Sequence, residues 1–340
     1  MYLLNYGGHA IYHNTLPYEM GVMNIIYLFA FIFAFAVVYL LTPHLRKFAI
    51  KIGFVDIPTK RKVHKEPVPH LASIGIFVGF TLIYIIFSGG ISKQTLGILI
   101  GSILVLFIGI VDDWYKTHGK DFPALPKFIV QVSAAIIVYF SGVVFTGFSN
   151  PFTHTYVLLP TWLQLILSVT WIFGVTTVIN FSDGLDGLAG SLSAISSMTL
   201  FVVALSKGQS EPALMAIILV GVSLGYLKYN KPPARIYMGD AGASFMGFIL
   251  GIIALDGAFK QATVLSVFVP ILALGVPIFD NLFVVIKRFR EGKPVYKADR
   301  GQAHYRLLST GLNTKQAVWV LCLISICFGL TSIIIMLLNA

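Results

Sequence analysis

Five aspartates stand where a chain this apolar would otherwise have little use for them. Asp112 and Asp113 sit side by side in "GIVDDWYK", Asp183 and Asp186 lie three apart in "NFSDGLDG", and Asp240 precedes "AGASFMGFILG". An aspartate at a helix start can cap backbone N–H groups for about 0.5–2 kcal/mol, and Asp240 fits that use. Capping leaves the second of two adjacent carboxylates costly unless a cation is present. Gly184 and Gly187 allow tight backbone and a close ligand around Asp183 and Asp186. Clustered carboxylates without Cys or His beside them suit a hard cation such as Mg2+, with Mn2+ as a substitute, and such an ion is commonly shared with a substrate phosphate. The surrounding loops are basic, with Lys116, Lys127, Lys228, Lys231, Arg235, Arg300 and Arg306. Acids for a metal beside bases for phosphate point to chemistry on a diphosphate. No G-x-x-x-x-G-K-[ST] is present, which excludes a P-loop ATPase, and "DGLDGLAG" is not G-x-G-x-x-G.

The elements that must position these residues are membrane helices. The 340 residues are 57% hydrophobic and only 11% charged, against about 25% charged in a soluble domain. The apolar residues come in stretches of about 17 to 20, enough to cross a ~30 Å hydrocarbon core as helix. Ten spans are expected, at 24–42, 72–88, 95–111, 127–145, 162–180, 190–206, 212–228, 242–255, 262–286 and 317–338. The eighth is short and glycine-rich, and the ninth holds Pro270 and Pro277, which should kink or break it. Cys322 and Cys327 fall in the last span and read as small packing residues. The first 22 residues hold no Lys or Arg, so the basic region of a cleavable signal peptide is missing and the first apolar run reads as an anchor.

Sidedness follows from the bases. With segment 43–71 cytoplasmic and the spans alternating, every one of the 24 Lys and Arg except Lys93, Lys207 and Lys260 falls on the cytoplasmic side. The expected architecture is an all-α polytopic membrane protein of about ten transmembrane helices, both termini outside, with the active site at the cytoplasmic face. An external segment, 1–23, precedes a single transmembrane catalytic domain, 24–340, with cytoplasmic loops 43–71, 112–126, 181–189, 229–241 and 287–316. All five aspartates then lie at cytoplasmic span ends, which meet if the spans pack round one cavity. The formal charge of +10 belongs largely to that face, where anionic head groups or anionic substrates are its partners. Nucleic acid is not expected, because the charge is split over short loops with no recognisable binding module.

Taken in order, these pieces resemble the polyprenyl-phosphate N-acetylhexosamine-1-phosphate transferases, glycosyltransferase family 4, in the undecaprenyl-phosphate GlcNAc-1-phosphate transferase-like branch. The segments that carry the resemblance are "GFVDIPTKRKVHKEPVP", "GIVDDWYK", "NFSDGLDGLAGSLS", "YNKPPARIYMGDAGASFMG" and "GVPIFDNLFVVIKR". It implies a Mg2+-dependent membrane enzyme that moves a sugar 1-phosphate, foremost GlcNAc-1-phosphate, from a UDP-sugar to undecaprenyl or another polyprenyl phosphate. UMP would leave, and the product would begin a cell-envelope glycopolymer. Residue by residue, Asp112 looks like the acid that deprotonates the lipid phosphate or, alternatively, attacks as a nucleophile, with Asp113 beside it. Lys127 matches a lysine that serves the phosphates. Asp240 looks like the principal metal ligand and Asn180 a second contact. Asp183 and Asp186 match positions tied to the uridine nucleotide and the metal site, and Asn230 matches a nucleotide contact. Lys116, His304 and Arg306 complete the expected substrate-binding set. The resemblance also allows a homodimer.

The physical logic agrees, since joining two phosphates requires neutralising several negative charges. The chain departs from the family pattern in two loops. "PHLASIG" puts His70, Ala72 and Ser73 in a stretch that usually reads Pro-Arg-x-Gly-Gly, and "DRGQAHYRLL" puts Gln302 and Tyr305 where relatives often carry histidines. Gln302 cannot carry a positive charge, so sugar or pyrophosphate contacts there should differ. The histidine triplet of the peptidoglycan branch is absent; transfer of phospho-MurNAc-pentapeptide is the alternative. A membrane prenyltransferase would call for two Asp-rich clusters, and a transporter for acids near the midplane rather than at one face.

Overall fold

A computed structural model describes residues 16–56, 67–150, 153, 155–258, 267–292 and 301–338. The chain forms helices α1 (Leu16–Lys51), α2 (Ala72–Phe87), α3 (Lys93–Thr117), α4 (Ala124–Ser141), α5 (Thr161–Phe181) and α6 (Leu188–Ser206). It continues with α7 (Ser210–Asn230), α8 (Gly239–Ile253), α9 (Phe268–Ala273), α10 (Gly275–Arg290), α11 (Ala303–Ser309) and α12 (Thr314–Leu338). Two short antiparallel pairs, β1 (Val55–Asp56) with β2 (Val68–Pro69) and β3 (Gly147–Ser149) with β4 (Tyr156–Leu158), are the sheet content among the described residues. Among the described residues eight helices are long and apolar enough to cross a membrane, against the ten spans expected, and α2 is apolar but shorter. The protein is a helical, multi-pass membrane protein. Lys60, Arg61, Lys62, Lys65, Lys260, Lys293, Lys297, Arg300 and the expected external segment before residue 16 lie outside the described residues.

Helix limits differ from the expected spans in instructive places. α1 continues through Pro43 instead of ending at residue 42. Proline removes the N–H that would bond the carbonyl four residues back; here that carbonyl, of Tyr39, accepts the Tyr229 hydroxyl at 3.0 Å. The ninth apolar run does break, at Leu274 between α9 and α10. Pro270 and Pro277 each occupy the third position of their helix, where no intrahelical N–H partner is needed. α3 runs on to Thr117, which places Asp112 and Asp113 on helix rather than in a loop.

α8, the short eighth span, is the buried centre of the bundle, with α3 on one side and α5 on the other. Helices in lipid gain little from hydrophobic burial against one another, so close packing over small residues matters more. Gly247 and Gly251 put α8 directly on the α5 backbone at Thr176 and Ile172, and Gly109 of α3 sits on Ala241. α7 packs on α1 and α6. The large apolar side chains Leu40, Phe107, Phe140 and Trp319 are exposed, as lipid-facing residues are. Cys322 and Cys327 are free thiols on α12. The segment after β2 is tied to the start of α8: Tyr237 N–H donates to the Pro69 carbonyl at 2.8 Å, and Ala72 N–H to the Tyr237 carbonyl at 3.2 Å.

Candidate active site

The close contact of Gly109 with Ala241 brings the end of α3 onto the start of α8. Asp113, one turn on, accepts the backbone N–H of Asp240 at 2.8 Å and that of Ala241 at 3.1 Å. It thereby caps a helix from across the bundle, satisfying donors that every helix start leaves open. Gly239 precedes Asp240 with φ 63°, the left-handed region that favours glycine.

Asp112 is equally buried but meets side chains. Lys127 Nζ on α4 lies 2.7 Å from Asp112 Oδ2 and 2.7 Å from Asp240 Oδ2. Lys116 Nζ lies 3.2 Å from Asp112 Oδ2 and 2.8 Å from Asp240 Oδ1. Carboxylates and ammoniums therefore alternate round a small ring, each charge answered by two of opposite sign. That arrangement makes burial of Asp112 tolerable, where a lone carboxylate would be strongly disfavoured. Asn180 on α5 stands behind the ring, its amide donating to the Asp240 carbonyl at 3.4 Å and to Ser244 Oγ at 3.2 Å.

A cavity of about 1020 Å3 opens beside Asp240, a volume at the upper end for small-ligand sites. Asp183, Gly184 and Asp186 line it from the α5–α6 turn, and Asn230, Pro232, Ala234 and Tyr237 from the α7–α8 connection. The two segments are stitched together. Asp186 Oδ2 accepts Ala234 N–H at 2.9 Å; burial, then the nearby charge of Asp186, raises the pKa of the Tyr237 hydroxyl. Asn230 Oδ1 accepts Gly187 N–H at 2.8 Å while its Nδ2 donates to the Ile236 carbonyl at 3.0 Å. Asn230, expected at the nucleotide, thus spends both ends of its amide on backbone and braces the wall. Asp183 is half-buried; loss of water, then the nearby charges of Asp240 and Asp186, raise its pKa to about 7.

The last loop closes the far side. His304 on α11 is buried with its ring against Gly184, in the space a Cβ there would need. Burial lowers its pKa to about 4, so the imidazole is neutral at pH 7. Arg306 turns away from the cavity: its Nη2 lies 3.3 Å from Asp280 Oδ1 on α10, and its guanidinium lies 4.2 Å from the centre of the Phe283 ring. Asp280 also accepts Ala303 N–H at 2.7 Å, so it holds the start of α11. Tyr305 lines the cavity directly.

Residues 95–258, which span the ring and most of the cavity, match the family model described as glycosyl transferase family 4. The chain is 37% identical over 309 residues to the probable undecaprenyl-phosphate N-acetylglucosaminyl 1-phosphate transferase of Bacillus subtilis (strain 168), covering 90% of this chain and 84% of that protein. The chain belongs to glycosyl transferase family 4. Further members similar to it are the decaprenyl-phosphate N-acetylglucosaminephosphotransferase of Mycolicibacterium smegmatis, 28% identical over 84% of this chain and 76% of that one. The phospho-N-acetylmuramoyl-pentapeptide-transferase of Streptococcus uberis is 27% identical over 82% of this chain and 88% of its own.

In this family 4 chain the ring is the place that could hold a metal. Asp112 Oδ2 and Asp240 Oδ2 are equidistant from one ammonium nitrogen, so a single cation position is common to both. The donors are oxygen only, which suits Mg2+ or Mn2+. Among the described residues no three His, Cys, Asp or Glu side chains converge as a metal-holding group. Two carboxylates with water and phosphate oxygens are the usual set for Mg2+, so the residues fit the ion.

Sequence reasoning passed over Asp280 and Tyr237. Asp280 carried a usable signal, being the one acid inside the ninth apolar run, where an acid marks function or a partner. Tyr237 carried none: nothing in the spacing of "RIYMGD" says that its side chain lies near Asp186.

Proposed function

We propose that this chain transfers N-acetylglucosamine 1-phosphate from a UDP-sugar to a polyprenyl phosphate at the cytoplasmic membrane face, releasing UMP, with Mg2+ or Mn2+ required. One observation carries the proposal. The ring of Asp112, Asp240, Lys116 and Lys127 gathers two cationic side chains and a two-carboxylate cation position, and through Asp240 it borders a cavity sized for a nucleotide sugar. The names of the Bacillus and Mycolicibacterium relatives, which specify N-acetylglucosamine and a polyprenyl phosphate, support the sugar and the acceptor. The bases Arg46, Arg235 and Lys315 at the cavity support a cytoplasmic setting. Every residue of the ring comes from one chain, so the chemistry is the same in a monomer or a homodimer.

In this reaction an oxygen of the lipid phosphate attacks the phosphorus that bears the sugar. A new P–O bond forms while the bond from that phosphorus to the bridging oxygen breaks, and the electron pair leaves on UMP. Lipid phosphate is mostly ionised at pH 7, so Asp112 has at most one proton to take and serves chiefly to orient Lys116 and Lys127. Those two ammoniums balance charge on the attacking and leaving phosphates. Asp112 and Asp240 would hold a divalent ion, which when bound would supply electrophilic neutralisation of the diphosphate. Asp113 is a positioning residue that fixes Asp240, and Asn230, Asp186 and Tyr237 hold the wall against which the nucleotide lies.

The test is incubation of the purified protein with undecaprenyl phosphate, Mg2+ and a choice of UDP-GlcNAc or UDP-MurNAc-pentapeptide. Lipid-diphospho-GlcNAc with equimolar UMP is the expected product. Product from the muramoyl donor alone would replace this reading with the peptidoglycan one.

A further inference from the structure

A second pocket, of about 310 Å3, lies between α1 at Tyr39 and the end of α7, and shares the 232–235 segment with the donor cavity. Tyr39, Tyr229, Lys228, Lys231 and Arg235 line it, and no acidic side chain does. Among the described residues none of the three cations is paired with an acid. The pocket is built rather than incidental. The Tyr229 hydroxyl is held by the Tyr39 carbonyl that Pro43 frees, and the two rings stand 5.6 Å apart. Arg235 N–H donates to the Tyr229 carbonyl at 2.8 Å, and Arg46 Nε donates to the Arg235 carbonyl at 3.1 Å. Leu40, next to Tyr39 on α1, and Leu224, one turn before Lys228 on α7, are exposed apolar side chains.

We infer that this pocket holds the phosphate head group of an anionic phospholipid, its acyl chains lying along the exposed faces of α1 and α7. Unpaired cations at the end of a transmembrane helix, with tyrosines at the same level, are what an anionic interface attracts. The occupant is a bulk lipid and not the reacting one, because Asp112, Lys116, Lys127 and Asp240 are all absent from the lining. The site also has a route to the reaction. Pro232, Pro233 and Arg235 line both this pocket and the donor cavity, and Ala234 between them is bonded to Asp186. A head group on the outside therefore braces the wall that faces the donor. That consequence rests on the proposed reaction; the lipid binding does not.

The test uses the full chain in detergent, comparing wild type with the double variant Lys228→Gln/Lys231→Gln and the charge-conserving Lys228→Arg/Lys231→Arg. Phosphatidylglycerol or phosphatidylcholine is titrated in, and bound lipid is read by native mass spectrometry and by the shift in Tm. Wild type and the arginine variant should prefer phosphatidylglycerol, and the glutamine variant should bind it on the order of 30-fold more weakly, from about 1 kcal/mol for each of the two bases removed. Equal phosphatidylglycerol binding by wild type and the glutamine variant would overturn the inference. So would displacement of the bound lipid by inorganic phosphate, or by polyprenyl phosphate in stoichiometric amounts, since these assign the lysines to a soluble anion or to the substrate. No turnover is measured, so failure here leaves the proposed reaction standing.

Discussion

The carboxylate of Asp113 accepts the backbone N–H of Asp240 at 2.8 Å, across a separation of 127 residues in the chain. Of two adjacent aspartates, one therefore builds the site and the other belongs to it. Asp113→Asn turns one acceptor into a donor facing the start of α8. It should lower Tm, with a loss of about 1–3 kcal/mol, and lower kcat because Asp240 is no longer held. A variant with wild-type Tm and kcat would remove Asp113 from this role.

Asp112→Asn and Asp240→Asn test the ring itself. Each leaves two ammoniums facing one carboxylate, and each should lower kcat by about 100-fold or more, in the range for lost electrostatic stabilisation. Folding should survive, as judged by an unchanged elution profile in detergent. Metal dependence provides the check besides rate: the Mg2+ concentration giving half-maximal activity should rise in both. Residual activity with unaltered Mg2+ dependence would show that the ion sits elsewhere.

Asn230→Ala releases the Gly187 N–H and the Ile236 carbonyl together. The α5–α6 turn and the α7–α8 connection should then part, raising the KM for the UDP-sugar several-fold with a smaller change in kcat. A fall in kcat at unchanged KM would place Asn230 at the reacting atoms instead.

Much of the fold is legible in the sequence, and for one reason: length and apolarity of a segment are local properties. Eight of the ten expected spans, as helices long and apolar enough to cross a membrane, and the break near Pro270 follow from the segments themselves. The passage of α1 through Pro43 was not legible, because what permits it is a hydroxyl on α7. The same division runs through the site. Residue types brought five aspartates and seven bases forward, and of these the structure gathers Asp112, Asp240, Lys116 and Lys127 within hydrogen-bonding distance. The structural duties of Asp113, Asn230 and Arg306 stayed hidden, since their partners are backbone groups and one acid in distant segments.

His304 gives a pH signature. Its folded pKa of about 4 lies below its ordinary 6.5 because burial disfavours the charged ring. The unfolded chain binds the extra proton first, so this contribution to stability is complete above about 6.5 and is lost as pH falls toward about 4. The size is on the order of 3 kcal/mol. His304→Gln should flatten the fall in Tm between those pH values; an equal acid slope in both proteins would mean the ring is not buried as neutral imidazole.

Gly184→Ala tests the seat of that ring. Its new Cβ would occupy the space of the imidazole, so α11 should shift and donor affinity should drop while the ring of lysines and aspartates stays intact. Unchanged donor KM would show that His304 has room to move without cost.

The central claim is phosphoryl transfer between a nucleotide sugar and a lipid phosphate at the Asp112–Asp240 ring. The most direct measurement is the phosphorus balance of purified protein given UDP-GlcNAc, undecaprenyl phosphate and Mg2+, with Lys127→Met as the paired control. The account predicts one UMP released for each lipid-diphospho-GlcNAc formed, abolished by EDTA and reduced by about 100-fold or more in the variant. Release of UDP, of inorganic pyrophosphate, or of UMP at the full rate by the variant would contradict it.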